Sequence, residues 1–213
     1  MDKETILHTI SRQKPRLIYV SGKTCTGKTT FANVLQQHGY SVVELDTVVM
    51  NSVVIPFRVA TGDGFRTAYR DAGPTEQAQA FISAARTEIT QRRDDSSLVV
   101  EGAIDKPRIL HEIFSDELGD FMFIYFHPVH LDRYIERIVA RFVAGGGGQT
   151  AGLPKDFWAL VSEMDLANFK HTGVMNEGIT SAITHYAEKS MEESKERLRG
   201  FQDTFPDVVV TEV

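Results

Sequence analysis

The sequence predicts a single α/β domain with a parallel β-sheet, and three observations lead to that prediction. Five short apolar runs have the character of buried strands, and a polar or turn residue follows each of them. Amphipathic helical patterns fill the intervals, and strands that alternate with helices are typical of a parallel sheet covered on both faces. A length of 213 residues suits one such domain with a substantial core and leaves little room for two. The predicted strands are Leu17–Val20, Ser41–Glu44, Leu98–Val100, Phe121–Phe126 and Val208–Val210.

Charge and cysteine content limit the function classes. The formal net charge of −6 argues against broad nucleic-acid binding, although it leaves a small anionic substrate possible. Cys25 is the only cysteine, so no intrachain disulfide can form and a reducing compartment is expected. No apolar run approaches the ~18 residues that a membrane span needs. We therefore expect a cytoplasmic protein with no nucleic-acid or membrane partner.

One motif carries a specific chemistry. Residues 22–29 read Gly22-Lys23-Thr24-Cys25-Thr26-Gly27-Lys28-Thr29, which matches the phosphate-binding pattern G-x-x-x-x-G-K-[ST]. The strand Leu17–Val20 precedes this loop and an amphipathic helix follows it from Lys28 to Gln37. Glycines allow successive backbone N–H groups to point at one phosphate, and the helix N-terminus adds partial positive charge. The motif therefore predicts a P-loop that binds ATP.

Each position of the P-loop has an expected role. The nucleotide-binding positions are Gly22, Lys23, Thr24, Cys25, Thr26, Gly27, Lys28, Thr29 and Thr30. The Lys28 ammonium can reach the β- and γ-phosphates, and the Thr29 hydroxyl can ligate Mg²⁺. We interpret Cys25 as a small spacer within the loop and not as a nucleophile.

Features of other P-loop classes are missing from the sequence. It contains no Asn-Lys-x-Asp element of guanine-specific GTPases. The stretch Asp116-Glu117-Leu118-Gly119 matches the Asp-x-x-Gly of those proteins, but it precedes a predicted strand instead of following one. The run from Gly145 to Gln149 lacks the Leu-Ser start of the transport-ATPase signature. These absences weaken both rival classes.

Two acids follow predicted strands at the edge where open α/β sheets bind ligands. Asp46 comes after the second strand, and Glu101 comes directly after the third. Asp46 suits the acceptance of a proton from an attacking hydroxyl, and both acids could ligate Mg²⁺ or its waters. Two plainer interpretations stay open, because Asp46 could cap a helix that begins at Thr47 and Glu101 could be a solvated acid.

These features together resemble a kinase family. The P-loop strand, the acid after the second strand, and the stretch Val99-Val100-Glu101-Gly102-Ala103-Ile104 are similar to the uridine kinase and phosphoribulokinase branch of P-loop kinases. The resemblance implies a three-layer sandwich with sheet order 2-3-1-4-5 and a helical lid. It further implies an ATP-dependent kinase for a small hydroxylated substrate, with Asp46 as candidate base and Glu101 near Mg²⁺.

A basic stripe lies on the helix that follows the fourth predicted strand. Arg133, Arg137 and Arg141 repeat every four residues. The opposite face is an apolar stripe of Leu131, Tyr134, Ile135, Ile138 and Phe142. The helix leads into Gly145–Gly148, and we predict a mobile lid loop over residues 141–155. The resemblance implies that lid arginines neutralise phosphate charge, which makes Arg137 and Arg141 candidate catalytic residues and Arg133 a candidate nucleotide contact. A solvated stripe and a plain linker are the alternatives.

Residues 47–95 lie between the second and third strands and are the predicted acceptor-binding insert. Basic and aromatic residues are mixed there, which suits a planar or anionic acceptor but equally suits a solvated helix. These residues are Arg58, Asp63, Phe65, Arg66, Tyr69 and Arg70. His127 and His130 lack a third ligand at usable spacing, so we expect no metal other than Mg²⁺. A charged amphipathic helix at 179–199 forms an outer layer and could serve homo-oligomer contacts.

Three functions are compatible with these features. The favoured one is transfer of the γ-phosphate of ATP to a hydroxyl of a small nucleoside-like or sugar-like metabolite. A nucleoside monophosphate kinase would use a phosphate acceptor, with arginines of residues 47–95 at a second anion site. A nucleotide-binding regulator, or an inactive kinase relative, would keep the P-loop without acceptor chemistry.

Overall fold

A computed structural model describes residues 1–45, 76–92, 97–102, 104, 106–115, 120–148 and 152–213. Five parallel strands form one sheet in the order β2-β3-β1-β4-β5, which confirms the predicted α/β fold and the predicted strand order. The strands are β1 Leu17–Gly22, β2 Ser41–Glu44, β3 Leu98–Glu101, β4 Phe121–His127 and β5 Val209–Glu212.

The last strand differs slightly from its prediction, which placed it at Val208–Val210. Val208 belongs to a turn, because its backbone N–H donates to the Phe205 carbonyl at 3.1 Å. Pairing with β4 instead extends to Thr211 and Glu212. The predicted apolar run therefore begins one residue before β5, and the strand ends with two polar residues, Thr211 and Glu212.

Helices surround the sheet in the described part of the chain. They are α1 Lys3–Gln13, α2 Lys28–Gln37, α3 Glu76–Arg92, α4 Pro107–Phe114, α5 Leu131–Ala144, α6 Lys155–Trp158, α7 Glu163–Thr172 and α8 Glu177–Thr204. The bounds of α2 agree with its prediction, and α8 extends the helix expected at 179–199. The sequence patterns above did not indicate α1, whose first turn is capped by the Asp2 side chain accepting from the Thr5 N–H.

The core has two layers, one on each face of the sheet, and a third cluster beside it. Side chains of α1 and α2, including Ile6 and Phe31, pack with Phe126 on one face. Side chains of α3, α4 and the end of α8 pack on the other face, where Phe123 meets Phe201 with ring centroids 5.0 Å apart. The third cluster joins α5, α6, α7 and the first half of α8. Because α8 belongs to both of the last two clusters, it holds the helices beside the sheet in place.

The glycine run after α5 forms a hydrogen-bonded turn. The Gly147 N–H donates to the Phe142 carbonyl at 3.1 Å, and the Gly148 N–H donates to the Gly145 carbonyl at 3.1 Å. Gly146 and Gly147 both have positive φ, at 60° and 64°, a conformation that costs L side chains energy. The run therefore ends α5 with a defined backbone, while the lid over 141–155 stays a prediction because residues 149–151 lie outside the described ranges.

Replacing Gly147 with alanine should destabilise the domain by about 2–4 kcal/mol, through backbone strain and overpacking. A Cβ at this position would lie 2.6 Å from Cδ1 of Phe169, a buried ring that cannot easily move. Gly146→Ala is the matched control, since its φ is similar but no atom lies within 4 Å of its Cβ position. In urea unfolding, the control should therefore lose only about 1–2 kcal/mol of its free energy of unfolding. Equal losses in the two variants would contradict the close contact between position 147 and Phe169.

Candidate nucleotide-binding site

The loop between β1 and α2 is curled tightly against the end of β4. Gly22 has φ 145°, and a Cβ there would lie 2.5 Å from the Phe126 carbonyl oxygen, so only glycine fits without a shift of the backbone. Cys25 at φ 66° and Gly27 at φ 92° turn the chain again before α2 begins at Lys28. Gly27 has no side chain to cap α2, which leaves the first N–H groups of the helix for an external acceptor.

The Lys23 carbonyl holds the loop together from inside. It accepts the Thr26 hydroxyl at 2.7 Å and the Lys28 ammonium at 3.1 Å. Thr26 is fully buried, so its hydroxyl is used for the shape of the loop and not for a ligand. Lys28 is the first residue of α2, and the sequence predicts that its ammonium contacts the β- and γ-phosphates.

Two side chains that carry oxygen atoms, those of Thr29 and Glu101, meet beside the start of α2. The Thr29 hydroxyl donates to Oε1 of Glu101 at 3.0 Å. β1 brings the two together, because Val20, two residues before the loop, lies in register with Glu101. The backbone after Glu101 is also held, since the Gly102 carbonyl accepts the Tyr19 hydroxyl at 3.2 Å and the Gly102 N–H donates to the Val20 carbonyl at 3.2 Å. A hydroxyl and a carboxylate in contact are the hard oxygen ligands that Mg²⁺ prefers.

Helix α5 lies across the P-loop. The Tyr134 hydroxyl donates to the Thr24 carbonyl at 2.9 Å, and Nη1 of Arg137 donates to the Thr26 carbonyl at 3.4 Å. The charge of Arg141 acts on the Cys25 thiol and opposes the rise of its pKa, so the guanidinium lies near the loop. Positions 134, 137 and 141 are spaced three and four residues apart, so they share one face of α5. That face is the one turned to the loop.

The three arginines of the predicted basic stripe are therefore not equivalent. Arg137 contacts the P-loop and the charge of Arg141 acts on Cys25, while their catalytic roles stay predictions. Arg141 also reaches the chain after α5, since a Cβ at Gly152 would lie 2.7 Å from its Nη2 atom. Arg133 is exposed one turn earlier on the helix. Sequence reasoning missed Tyr134, which it assigned to the apolar stripe, although its spacing from Arg137 and Arg141 was a usable signal.

Cys25 has the surroundings of a structural thiol. It packs against the cluster that joins α5 to α8. Burial raises the pKa of the Cys25 thiol, and the charge of Arg141 only partly opposes that effect. A raised pKa disfavours the reactive thiolate at neutral pH, which supports the interpretation of Cys25 as a spacer.

The Lys23 side chain turns away from the mouth of the loop. It is 8% exposed and forms an ion pair with Glu193 of α8. Burial and the nearby charge of Arg197 lower the pKa of Lys23, while Glu193 and Asp156 act in the opposite direction. The sequence assigned Lys23 to nucleotide binding, and the structure gives its ammonium a different contact, so only its backbone remains for phosphate. The ion pair ties the P-loop to the long C-terminal helix.

Glu193→Gln should lower the free energy of unfolding by roughly 1–3 kcal/mol, because it removes the ion-pair partner of the buried Lys23 ammonium. This range is below that for a fully buried pair, since the Glu193 side chain is 34% exposed. Glu192→Gln is the matched control on the same helix: its pair with Lys195 at 3.3 Å is exposed on both sides. Thermal or urea unfolding should show that the control loses less than about 1 kcal/mol of its free energy of unfolding. A Glu193 variant as stable as wild type would contradict a structural role for the pair.

Several predicted site residues lie outside the described residues. Asp46, the candidate base and metal ligand, is one of them. The others belong to the predicted acceptor insert, namely Arg58, Asp63, Phe65, Arg66, Tyr69 and Arg70. Their predicted roles therefore stay predictions.

The described ranges contain no cluster of three or more His, Cys, Asp or Glu side chains that could hold a metal ion. Within the same ranges, no helix is both long enough and apolar enough to cross a membrane.

Comparisons with known proteins give structural likenesses only. No protein-family model matches the sequence, and no curated protein matches it. A gluconokinase from Sinorhizobium meliloti is 13% identical, with 93% of this chain and 83% of that chain covered and a TM-score of 0.46. A shikimate kinase from Bacteroides thetaiotaomicron is 9% identical, with coverages of 92% and 85% and a TM-score of 0.47. A sugar kinase from a Janibacter species is 13% identical, with coverages of 93% and 84% and a TM-score of 0.44. Similarity this low identifies no substrate, and the fold is defined by the strand order and register given above.

Proposed function

We propose that this chain is an ATP-dependent phosphotransferase that moves the γ-phosphate to a hydroxyl of a small metabolite. The observation that carries the proposal is the 3.0 Å contact between Thr29 and Glu101, because it joins the P-loop to an acid at the end of a neighbouring strand. A P-loop alone indicates nucleotide binding. A carboxylate in contact with the P-loop threonine adds a group that could bind the metal ion of the nucleotide.

Each described group has a proposed task. The N–H groups of the loop and the N-terminus of α2 hold the β-phosphate, and Lys28 spans the β- and γ-phosphates. Thr29 and Glu101 would hold Mg²⁺, which supplies positive charge against the phosphate oxygens when bound. Arg137 and Arg141 approach the loop from α5, and their guanidinium groups would stabilise the charge on the transferring phosphoryl group.

The transfer itself is an in-line displacement. The acceptor oxygen forms a bond to the γ-phosphorus, and the bond between that phosphorus and the bridging oxygen of ADP breaks. The proton of the acceptor hydroxyl passes to a base, for which Asp46 is our candidate because it follows β2, the strand beside β3. Membership of the uridine kinase and phosphoribulokinase branch, with a nucleoside-like or sugar-like acceptor, is a prediction from sequence resemblance.

A thermal-shift screen tests this proposal and searches for the acceptor. ATP with Mg²⁺ should stabilise the protein, by about 2.7 kcal/mol at one hundred times its dissociation constant. Nucleosides, nucleoside monophosphates and sugars are then added singly, and compounds that stabilise further are tested for ADP release. No stabilisation by ATP and Mg²⁺ would contradict the proposal.

Asp46→Asn tests the assignment of the base separately. With the acceptor found in the screen, we expect ADP release to fall by roughly 10²–10⁴-fold, while the stabilisation by ATP and Mg²⁺ persists. A full rate in this variant would show that Asp46 is not the base, without affecting the nucleotide site.

A further inference from the structure

Lysine 3, near the start of the chain, lies beside the P-loop. Its ammonium nitrogen is 5.6 Å from the centroid of the Phe126 ring. A Cβ built on Gly27 would lie 3.3 Å from the same nitrogen. Gly27 directly precedes Lys28, and it is one of the positions whose backbone is expected to surround a phosphate. A cation from a distant part of the sequence is thus placed next to the phosphate loop.

Several contacts hold Lys3 in this position. The backbone nitrogen of Met1 donates to the Val210 carbonyl at 2.9 Å, which ties the start of the chain to β5. Ile6 and Ile10 of α1 are buried on the face of the sheet that also contains Phe126. Helix α1 therefore packs on the strands that flank the P-loop, and its first turn points toward the loop.

The Lys3 ammonium lacks an acidic partner in the described part of the chain. The nearest carboxylate in sequence, that of Asp2, accepts from the N–H and hydroxyl of Thr5 at 2.8 and 2.9 Å. Partial burial and the positive charge of Arg137 both lower the pKa of Lys3. Two cations thus approach the P-loop from different helices, Lys3 from α1 and Arg137 from α5. In the described ranges, no acidic side chain forms an ion pair with Lys3. Such an arrangement is stabilised when an anion binds between or beside them.

We propose that Lys3 contacts the phosphates of the nucleotide held in the P-loop, so that helix α1 contributes to the nucleotide site. This inference rests on the proposed function, because a nucleotide must first occupy the loop. The alternative is a structural role, in which Lys3 only packs over Phe126 as a cation–π pair. A purely structural role predicts changes in stability without a selective change in phosphate affinity.

Calorimetric titration of the full chain with ADP and with inorganic tripolyphosphate separates these roles. Lys3→Met keeps most of the aliphatic stem and removes the charge, and it should weaken binding of both probes about 10-fold. Lys3→Arg restores the charge and should bind both within about threefold of wild type. Arg12→Met is the matched control, since it removes one exposed cation from the far end of the same helix and should leave both affinities unchanged.

The possible outcomes are distinguishable. If wild type binds ADP and Lys3→Met binds it equally well, this inference is overturned and the P-loop function stands. If both Lys3 variants bind weakly and melt at a lower temperature, the residue acts through packing and the inference is also overturned. If wild type binds neither probe, the proposed function fails and this inference fails with it.

Discussion

Lys28→Ala is expected to reduce ATP-dependent turnover by about 10²–10³-fold or more. Lys28 is the first residue of α2, and the proposed mechanism places the charge of the transferring phosphate beside its ammonium. Alanine removes that charge and leaves the backbone of the loop in place. The measurement is steady-state ADP release with the acceptor identified by the thermal-shift screen.

Two further measurements show whether a loss of turnover in Lys28→Ala comes from the chemistry or from unfolding. They are the free energy of unfolding of this variant and the turnover of a control variant. The Lys28 ammonium makes a hydrogen bond to the Lys23 carbonyl at 3.1 Å, and the loss of this bond should change the free energy of unfolding by about 1 kcal/mol. Lys170→Ala removes an exposed lysine from α7 and should leave turnover unchanged. Turnover of the Lys28 variant at the wild-type rate would contradict our assignment of the phosphate site.

Glu101→Gln should raise the Mg²⁺ concentration needed for half-maximal stabilisation by ATP about 10- to 100-fold. Glutamine keeps the shape of the side chain and can still accept the hydrogen bond from Thr29, but it removes the negative charge that would attract the ion. Turnover at low Mg²⁺ should fall accordingly and recover in part at high Mg²⁺. Magnesium titrations of both thermal shift and ADP release check this prediction.

A neighbouring glutamate provides the matched control for Glu101. Glu44 lies on β2 in direct register with Glu101 and is exposed, so Glu44→Gln removes the same charge from the same end of the sheet. We expect less than about a threefold change in Mg²⁺ dependence for this control, because an exposed charge is screened by solvent. Equal effects in the two variants would indicate a general electrostatic contribution and would contradict a specific ligand role for Glu101.

The fold was predictable because short-range patterns encode its strands and helices. Apolar runs such as Leu98–Val100 could be identified as buried strands, and the bounds of α2 followed from its periodicity and from the glycine after it. The P-loop motif assigned Thr29 to Mg²⁺, and the rule that ligands bind at the carboxyl ends of parallel strands assigned Glu101 to it. The 3.0 Å contact between the two side chains was not itself predicted.

Contacts made by single polar side chains across the sequence were not predictable in this way. Lys23 and Glu193 are 170 positions apart, and Lys3 reaches the loop from a helix that no motif marks. Tyr134 was assigned to the apolar stripe because periodicity reports the ring and not the hydroxyl that contacts Thr24. Such partners depend on how helices pack on the sheet, and local patterns do not contain that information.

The most direct test of the central claim identifies the bond that receives the γ-phosphate. Wild-type protein is incubated with ATP, Mg²⁺ and the acceptor found in the screen, and the products are followed by phosphorus NMR. Our account predicts loss of the γ-phosphate signal, appearance of ADP, and one new phosphate monoester signal from the acceptor. A new phosphoanhydride signal would instead identify a phosphate acceptor, and intact ATP with every compound that stabilises the protein would contradict a phosphotransferase.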